Sequence, residues 1–436
     1  MRKKYILLAV FMILFGQIFA QTSSSSSNKV MADFLDKKFG LFIHWGPVSL
    51  RGTEIGWSRG HQVSTQDYDN LYREFNPVLF DANAIVRSAK NAGMKYLTIT
   101  ARHHDGFCLW PTKFFDYNIM ATPFKKDIVG ELAKACKTEG LKFCIYYSIL
   151  DWYHPDYPIH RSGDTIVDPK SDMNRYVGFM KNQLKELIQK YDPYMLWFDG
   201  GWESPWTDSI GKDMYNYLKS LKPDVIINNR LGKEIAATSN KKIDVNKMVG
   251  DYDTPEQVVG RLNMDTPWES SFTICNQWSW KPNDEIKSLK QCLDILSKTA
   301  GGNGNLLLNV GPMPDGRIEL RQIDRLEEIG KWLKANGEAI YNTKGGPYQP
   351  NKDYATTRKG NKIYLHVLNT DLEYLKLQRT NDWSIVSGKL TSGERVPVSN
   401  DGKNWSIKLP KNKKGTLNYI VVLDIDKNAE QLPIIL

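Results

Sequence analysis

Tyr194-Met195-Leu196-Trp197-Phe198-Asp199-Gly200-Gly201-Trp202-Glu203 is an apolar and aromatic run that stops abruptly at a carboxylate, two glycines and a further acid. A short, continuously apolar run bounded by turn residues is how a strand covered on both faces reads. A carboxylate at its end is costly unless it is paired or used, because an isolated charge loses its hydration on burial. The plainer account of Asp199 is a cap on the following helix. The glycines behind it remove side-chain bulk, so that a ligand could approach the carboxylate closely.

Outward from this run the same pattern repeats between about Phe39 and Leu333. Strand-like runs cover 40–44, 96–101, 141–148, 194–198, 225–229, 268–272 and 305–310. Between them apolar residues recur every three or four positions, as in Met173, Tyr176, Met180, Leu184, Leu187 and in Ile286, Leu289, Leu293, Leu296. Strands alternating with such helices predict an α/β chain whose parallel sheet is closed by crossovers, a (β/α)8-like barrel, with an eighth strand expected around 247–252. After Lys344 the helical period stops, and short runs separated by Gly, Asn, Asp and Lys predict an antiparallel β-sandwich. The expected organisation is a signal peptide at 1–20, a Ser-rich tether at 21–28, the barrel at 29–344 and the sandwich at 345–436.

Arg2, Lys3 and Lys4 precede an apolar run to about Phe15, and small-residue cleavage is expected before Gln21, so the chain reads as exported, periplasmic or secreted. The net charge of +9 comes from scattered Lys and Arg with no basic block interleaved with aromatics, which argues against nucleic acid. Cys108, Cys136, Cys144, Cys275 and Cys292 show no metal-binding spacing and read as small core residues, although an oxidising compartment would allow one bridge. The 13 Trp and 21 Tyr suit stacking on sugar rings as well as ordinary packing.

Barrel enzymes collect their chemistry where the strands end, and here the runs end in polar residues. The first ends in His44-Trp45-Gly46, the second in Arg102-His103-His104-Asp105, the fourth in Asp199 and the fifth in Arg230, while the sixth carries Trp268-Glu269. Two carboxylates, Asp199 and Glu269, suit glycoside hydrolysis, in which one protonates the departing oxygen and the other attacks the anomeric carbon. Trp268 beside Glu269 would raise its pKa toward that of a general acid. His103 and His104 are adjacent, so a loop or bulge is needed to turn both inward. A metal triad with His44 is the weaker reading, because a neutral His also serves sugar hydroxyls.

These stretches resemble the α-L-fucosidases of glycoside hydrolase family 29. The matching segments are Phe39-Gly40-Leu41-Phe42-Ile43-His44-Trp45-Gly46-Pro47, Ala101-Arg102-His103-His104-Asp105-Gly106-Phe107, Tyr146-Tyr147-Ser148 with Asp151-Trp152, Leu196-Trp197-Phe198-Asp199-Gly200, Gly250-Asp251-Tyr252 with Thr254-Pro255-Glu256, and Trp268-Glu269, with Asn305-Leu306-Leu307-Leu308-Asn309-Val310-Gly311-Pro312 beyond them. The resemblance implies an exo-acting retaining hydrolase of fucosylated oligosaccharides or glycoconjugates, with Asp199 as nucleophile, Glu269 as acid/base, and no metal or organic cofactor. Glu203, Asp251 and Glu256 stand as alternatives for the acid. The resemblance also implies that His44, Glu54, His103, His104, Tyr147, Trp197 and Arg230 hold the sugar hydroxyls, with aromatic residues such as Trp57 receiving its ring and methyl group. Glu54 and Trp57 are separated by Ile55-Gly56 where the family often has them adjacent, and Gln277-Trp278-Ser279-Trp280 departs from the family's Ser-Trp-Gly-Tyr, which implies an altered leaving-group subsite. An α-L-galactosidase and a catalytically silent sugar-binding barrel are the alternative readings.

Overall fold

The computed structural model describes residues 29–235, 243–259 and 262–435, so the expected signal peptide and tether lie outside the described residues. Seven strands, β1 (Phe39–Ile43), β2 (Tyr96–Arg102), β3 (Lys142–Ser148), β4 (Met195–Asp199), β5 (Ile226–Ile227), β6 (Glu269–Thr273) and β7 (Asn305–Val310), pair in the order β5-β4-β3-β2-β1-β7-β6. Every pairing among them is parallel. The crossover helices start on side-chain caps: Asp81, Asp127, Asp172, Thr207 and Ser288 each accept a backbone N–H of the first turn.

The gap between β5 and β6 is filled by a stave too irregular to be a regular strand. Residues 249–252 bridge in parallel to Asn228 and Arg230, and residues 253–256 bridge to Trp268 and Ser271. Backbone bonds from Asn229 to Tyr252, from Asp251 to Ile227 and from Glu269 to Asp253 complete the ring. The expected eighth strand is thus present as isolated bridges running further along the chain than 252. Gly250, at φ 153°, and Pro255 break its ladder, the latter by lacking an N–H.

Side-chain alternation sorts the strands into two cores. Phe42, Tyr96, Cys144, Tyr146, Met195, Trp197, Ile226, Tyr252 and Leu307 form a cluster inside the barrel. Leu41, Ile43, Leu97, Ile99, Ile145, Tyr147, Leu196 and Phe198 point outward and pack under the helices. All five cysteines are buried and unbridged. Among the described residues no helix is long and apolar enough to cross a membrane.

Two antiparallel sheets follow. One has the order β12 (Ile385–Leu390), β15 (Tyr419–Ile425), β10 (Lys362–Val367), β9 (Tyr354–Lys359) and β8 (Lys344–Gly345); the other has β11 (Tyr374–Gln378), β14 (Asn404–Lys408) and β13 (Val398–Asn400). Leu365, Val367, Leu375, Trp405, Ile407 and Val421 fill the space between them. The change of architecture falls within β8 itself, which begins one residue before the expected boundary. His366 of β10 is buried against the barrel's last helical turn, its Nε2 bonded to Thr357 Oγ1, which in turn donates to the Ala339 carbonyl. Burial drives the His366 pKa from about 6.5 down to about 3. The folded chain therefore keeps it neutral, and the stability this contributes is complete above pH 6.5 and lost as pH falls toward 3. In the His366→Gln variant the unfolding free energy, measured by denaturant titration, should fall less steeply between pH 6.5 and 4 than in the parent, by up to about 1.4 kcal/mol per pH unit.

Candidate active site

Strand parity decides which residues line the barrel mouth. Asp199 closes β4 on the same inward face as Met195 and Trp197. Its Oδ1 accepts from Arg230 Nη1 at 2.8 Å and its Oδ2 from the Tyr146 hydroxyl at 3.2 Å, with His104 Nε2 3.7 Å from Oδ2. The carboxylate remains 13% exposed, so it is held by partners yet open to the mouth. It caps no helix: Thr207 caps the helix that follows.

Arg230 is the hub. Its Nε donates to Thr254 Oγ1, and its Nη2 donates to the Thr254 carbonyl and to Glu256 Oε2, both at 3.0 Å. Burial would lower its pKa, but the charges of Asp199 and Glu256 outweigh that and hold it above the ordinary value. The guanidinium also lies 4.6 Å above the Trp197 ring. One side chain thus brings two carboxylates together, Asp199 from β4 and Glu256 from the irregular stave. Glu256 is 28% exposed, so its carboxyl is reached by solvent at the mouth.

The histidines form a neutral wall. Burial, opposed by an Asn309 hydrogen bond, lowers the His44 pKa to about 3. Burial and the charges of Arg230 and Arg102 lower that of His104 to about 3, and burial with its His neighbours lowers that of His103 well below normal. Asn309 Nδ2 donates to the Trp278 carbonyl, leaving its Oδ1 to accept from His44 Nδ1, so His44 Nε2 is free to accept. Ser148 Oγ, which donates to the Leu150 carbonyl, likewise accepts from His104 Nδ1. The β2–β3 register shifts between Thr100 and Arg102, and beyond it both His103 and His104 face the mouth. His103 stacks on Tyr146 at 5.3 Å, and Tyr146 stacks on Trp197 at 5.5 Å. Among the described residues no three His, Cys, Asp or Glu side chains are arranged to hold a metal ion.

At the rim, Trp57 is 40% exposed and Trp202 44%; their rings stack at 6.0 Å beside His104. Trp278 tilts over His44 at 4.8 Å. Glu54 accepts the backbone N–H groups of Ile55, Trp278 and Ser279 and so ties the first loop to the 277–280 loop. Burial outweighs those bonds and raises its pKa.

Several expected residues lie elsewhere. Tyr147 points out of the barrel, its hydroxyl on Gln183 and its ring under Arg102, because it has the parity of Ile145; Tyr146 holds the inward position. Glu269 begins β6 rather than ending it, and in a parallel barrel that is the floor, opposite the mouth. It is fully buried and takes hydrogen bonds from Tyr96, Trp197 and Tyr252, so it neither meets Asp199 nor reaches a leaving group. Of the alternative acids, Glu203 is engaged by Trp152 and Tyr157, and Asp251 by Tyr215 and Lys219. The Gly200-Gly201 pair leaves no room for a ligand: a Cβ at Gly200 would lie 2.5 Å from Leu150, and one at Gly201 2.7 Å from the Arg230 carbonyl. Tyr146 and Trp202 join the mouth in addition to the residues expected from the sequence.

The α-L-fucosidase family model matches residues 16–338. An α-L-fucosidase of Branchiostoma floridae is 29% identical over 426 residues, covering 90% of this chain and 88% of its own. The solved structure of α-L-fucosidase isoenzyme 1 from Paenibacillus thiaminolyticus superposes with a TM-score of 0.82 at 32% identity, over 92% of this chain and 100% of its own. A Bacteroides thetaiotaomicron GH29 α-L-fucosidase, trapped as a covalent intermediate with 2-fluoro-fucosyl fluoride in a glutamate-to-glutamine variant, superposes at 0.81 and 29% identity, over 91% and 96%. With its barrel, its paired carboxylates and a family match across most of its length, this chain belongs to the α-L-fucosidases of glycoside hydrolase family 29.

Proposed function

We propose that the chain hydrolyses terminal α-L-fucosides of oligosaccharides or glycoconjugates with retention, Asp199 serving as nucleophile and Glu256 as acid/base. The observation that carries this reading is the shared guanidinium: Arg230 holds both carboxylates at one mouth. Asp199 attacks the anomeric carbon while Glu256 protonates the departing oxygen, giving a fucosyl-aspartate; Glu256 then takes a proton from water as it attacks, and free sugar leaves. Arg230 and Tyr146 hold the Asp199 carboxylate aimed before attack and steady it as its charge is spent. His44 and His104, neutral across the physiological range, accept or donate to sugar hydroxyls without adding charge. Trp57, Trp202 and Trp278 offer apolar faces to the ring, the methyl group and the leaving group. The basic start and apolar run of residues 2–15 support action outside the cytoplasm.

Proton NMR of an aryl α-L-fucoside during turnover tests the mechanism. The α anomer of fucose should appear first; a first-formed β anomer would mean direct attack by water and remove the nucleophilic role of Asp199. Parallel rates on nitrophenyl α-L-fucoside and α-L-galactoside measure how strongly the pocket selects the methyl group.

A further inference from the structure

The carboxyl on the barrel floor is not idle. Glu269 has no exposed surface, and burial lifts its pKa to about 7 against the hydrogen bonds of Tyr96, Trp197 and Tyr252. A buried carboxyl serves stability poorly, since an apolar side chain of similar volume avoids its desolvation. Its geometry leads to the mouth instead. Trp197 donates its Nε1 to Glu269 Oε1 at 3.1 Å, which fixes the rotation of the indole. The face of that indole carries Arg230 at 4.6 Å and stacks on Tyr146 at 5.5 Å with a 20° tilt. Arg230 and Tyr146 both hydrogen-bond the Asp199 carboxylate.

We infer that Glu269 is a positioning residue of the hydrolytic site: by holding Trp197 Nε1 from below, it fixes the indole against which Arg230 and Tyr146 aim the Asp199 carboxylate. This rests on the reading of Asp199 as nucleophile. The effect passes through Trp197, so it belongs to bond formation at the anomeric carbon and is indifferent to the leaving group.

The test is kcat and KM for Glu269→Gln and Glu269→Met, each with and without Trp197→Phe, on an aryl fucoside and a fucosylated oligosaccharide. Gln keeps an acceptor oxygen for Trp197 and can turn its amide toward the Tyr96 oxygen, so kcat should stay within about threefold of the parent. Met removes the acceptor, and kcat should fall by about 100-fold equally on both substrates with KM nearly unchanged, as expected when a reacting group is misplaced. In the Trp197→Phe background the indole N–H is gone, and the same change should cost less than about twofold. An unchanged kcat in Glu269→Met, or an undiminished loss in the Trp197→Phe background, would overturn the inference. Should Glu269→Met not fold, Glu269→Asp, which keeps the charge but falls a methylene short, decides by the same comparison with a loss of about tenfold. If the parent turns over fucosides, Asp199→Gly abolishes this and the Glu269 variants stay fully active, only the present inference falls. If the parent has no fucoside turnover, the reading of the site fails and this inference goes with it.

Discussion

Asp199→Gly should lower the turnover of an aryl fucoside by on the order of 10⁴-fold or more, because the covalent route closes when its nucleophile is removed. The fold should survive. Removing one partner of a buried ion pair commonly costs about 3–5 kcal/mol, since the other charge is stranded. Arg230, however, keeps Glu256 and Thr254 as partners, so the destabilisation should fall below that range. The vacated space opposite Arg230 then admits a small anion, and added azide should restore part of the turnover and release a fucosyl azide of inverted, β configuration. Steady-state rates with product analysis by NMR check both points. Turnover by Asp199→Gly close to that of the parent, without azide, would show that another group attacks.

Glu256→Gln should divide substrates by their need for a proton. An aryl fucoside with a good leaving group departs unaided, so formation of the fucosyl-enzyme should slow only modestly. An oligosaccharide whose leaving oxygen must be protonated should slow by about 1,000-fold, within the range general acid catalysis supplies. With the aryl substrate the second step becomes limiting, because no base activates water, and a burst of phenol should precede slow turnover. Single-turnover and steady-state rates on both substrates separate these steps. Equal losses on the two would move the proton donor to another residue.

The seven regular strands could be read from apolar runs and turn residues, because strands covered on both faces leave no polar alternation to confuse the pattern. The strand-end position of Asp199 could be read for the same reason. The partner carboxylate could not, for a reason of direction. Glu269 and Asp199 both adjoin apolar runs, yet one opens its strand and the other closes it, and in a parallel barrel those are opposite ends. Chain direction excludes Glu269 from the mouth and leaves Glu256 there. Tyr147 was displaced by its neighbour through a single step of alternation, which the inward Trp197 and Asp199 on the next strand would have settled. The stave bearing Glu256 gives a weak signal, because Gly250 and Pro255 interrupt it and its pairing is a set of isolated bridges.

That same stave has a bearing on durability. It supplies Thr254 and Glu256 to the Arg230 clamp, yet β5 beside it joins β4 through only two residues. Local opening is expected to begin at such a thinly paired seam, at a free energy below that of global unfolding. On warming, Glu256 should therefore drift away from Arg230 while the rest of the ring and the appended sheets are still intact, so that activity is lost before the molecule melts, and an added cross-strand tie at this seam should prolong working life.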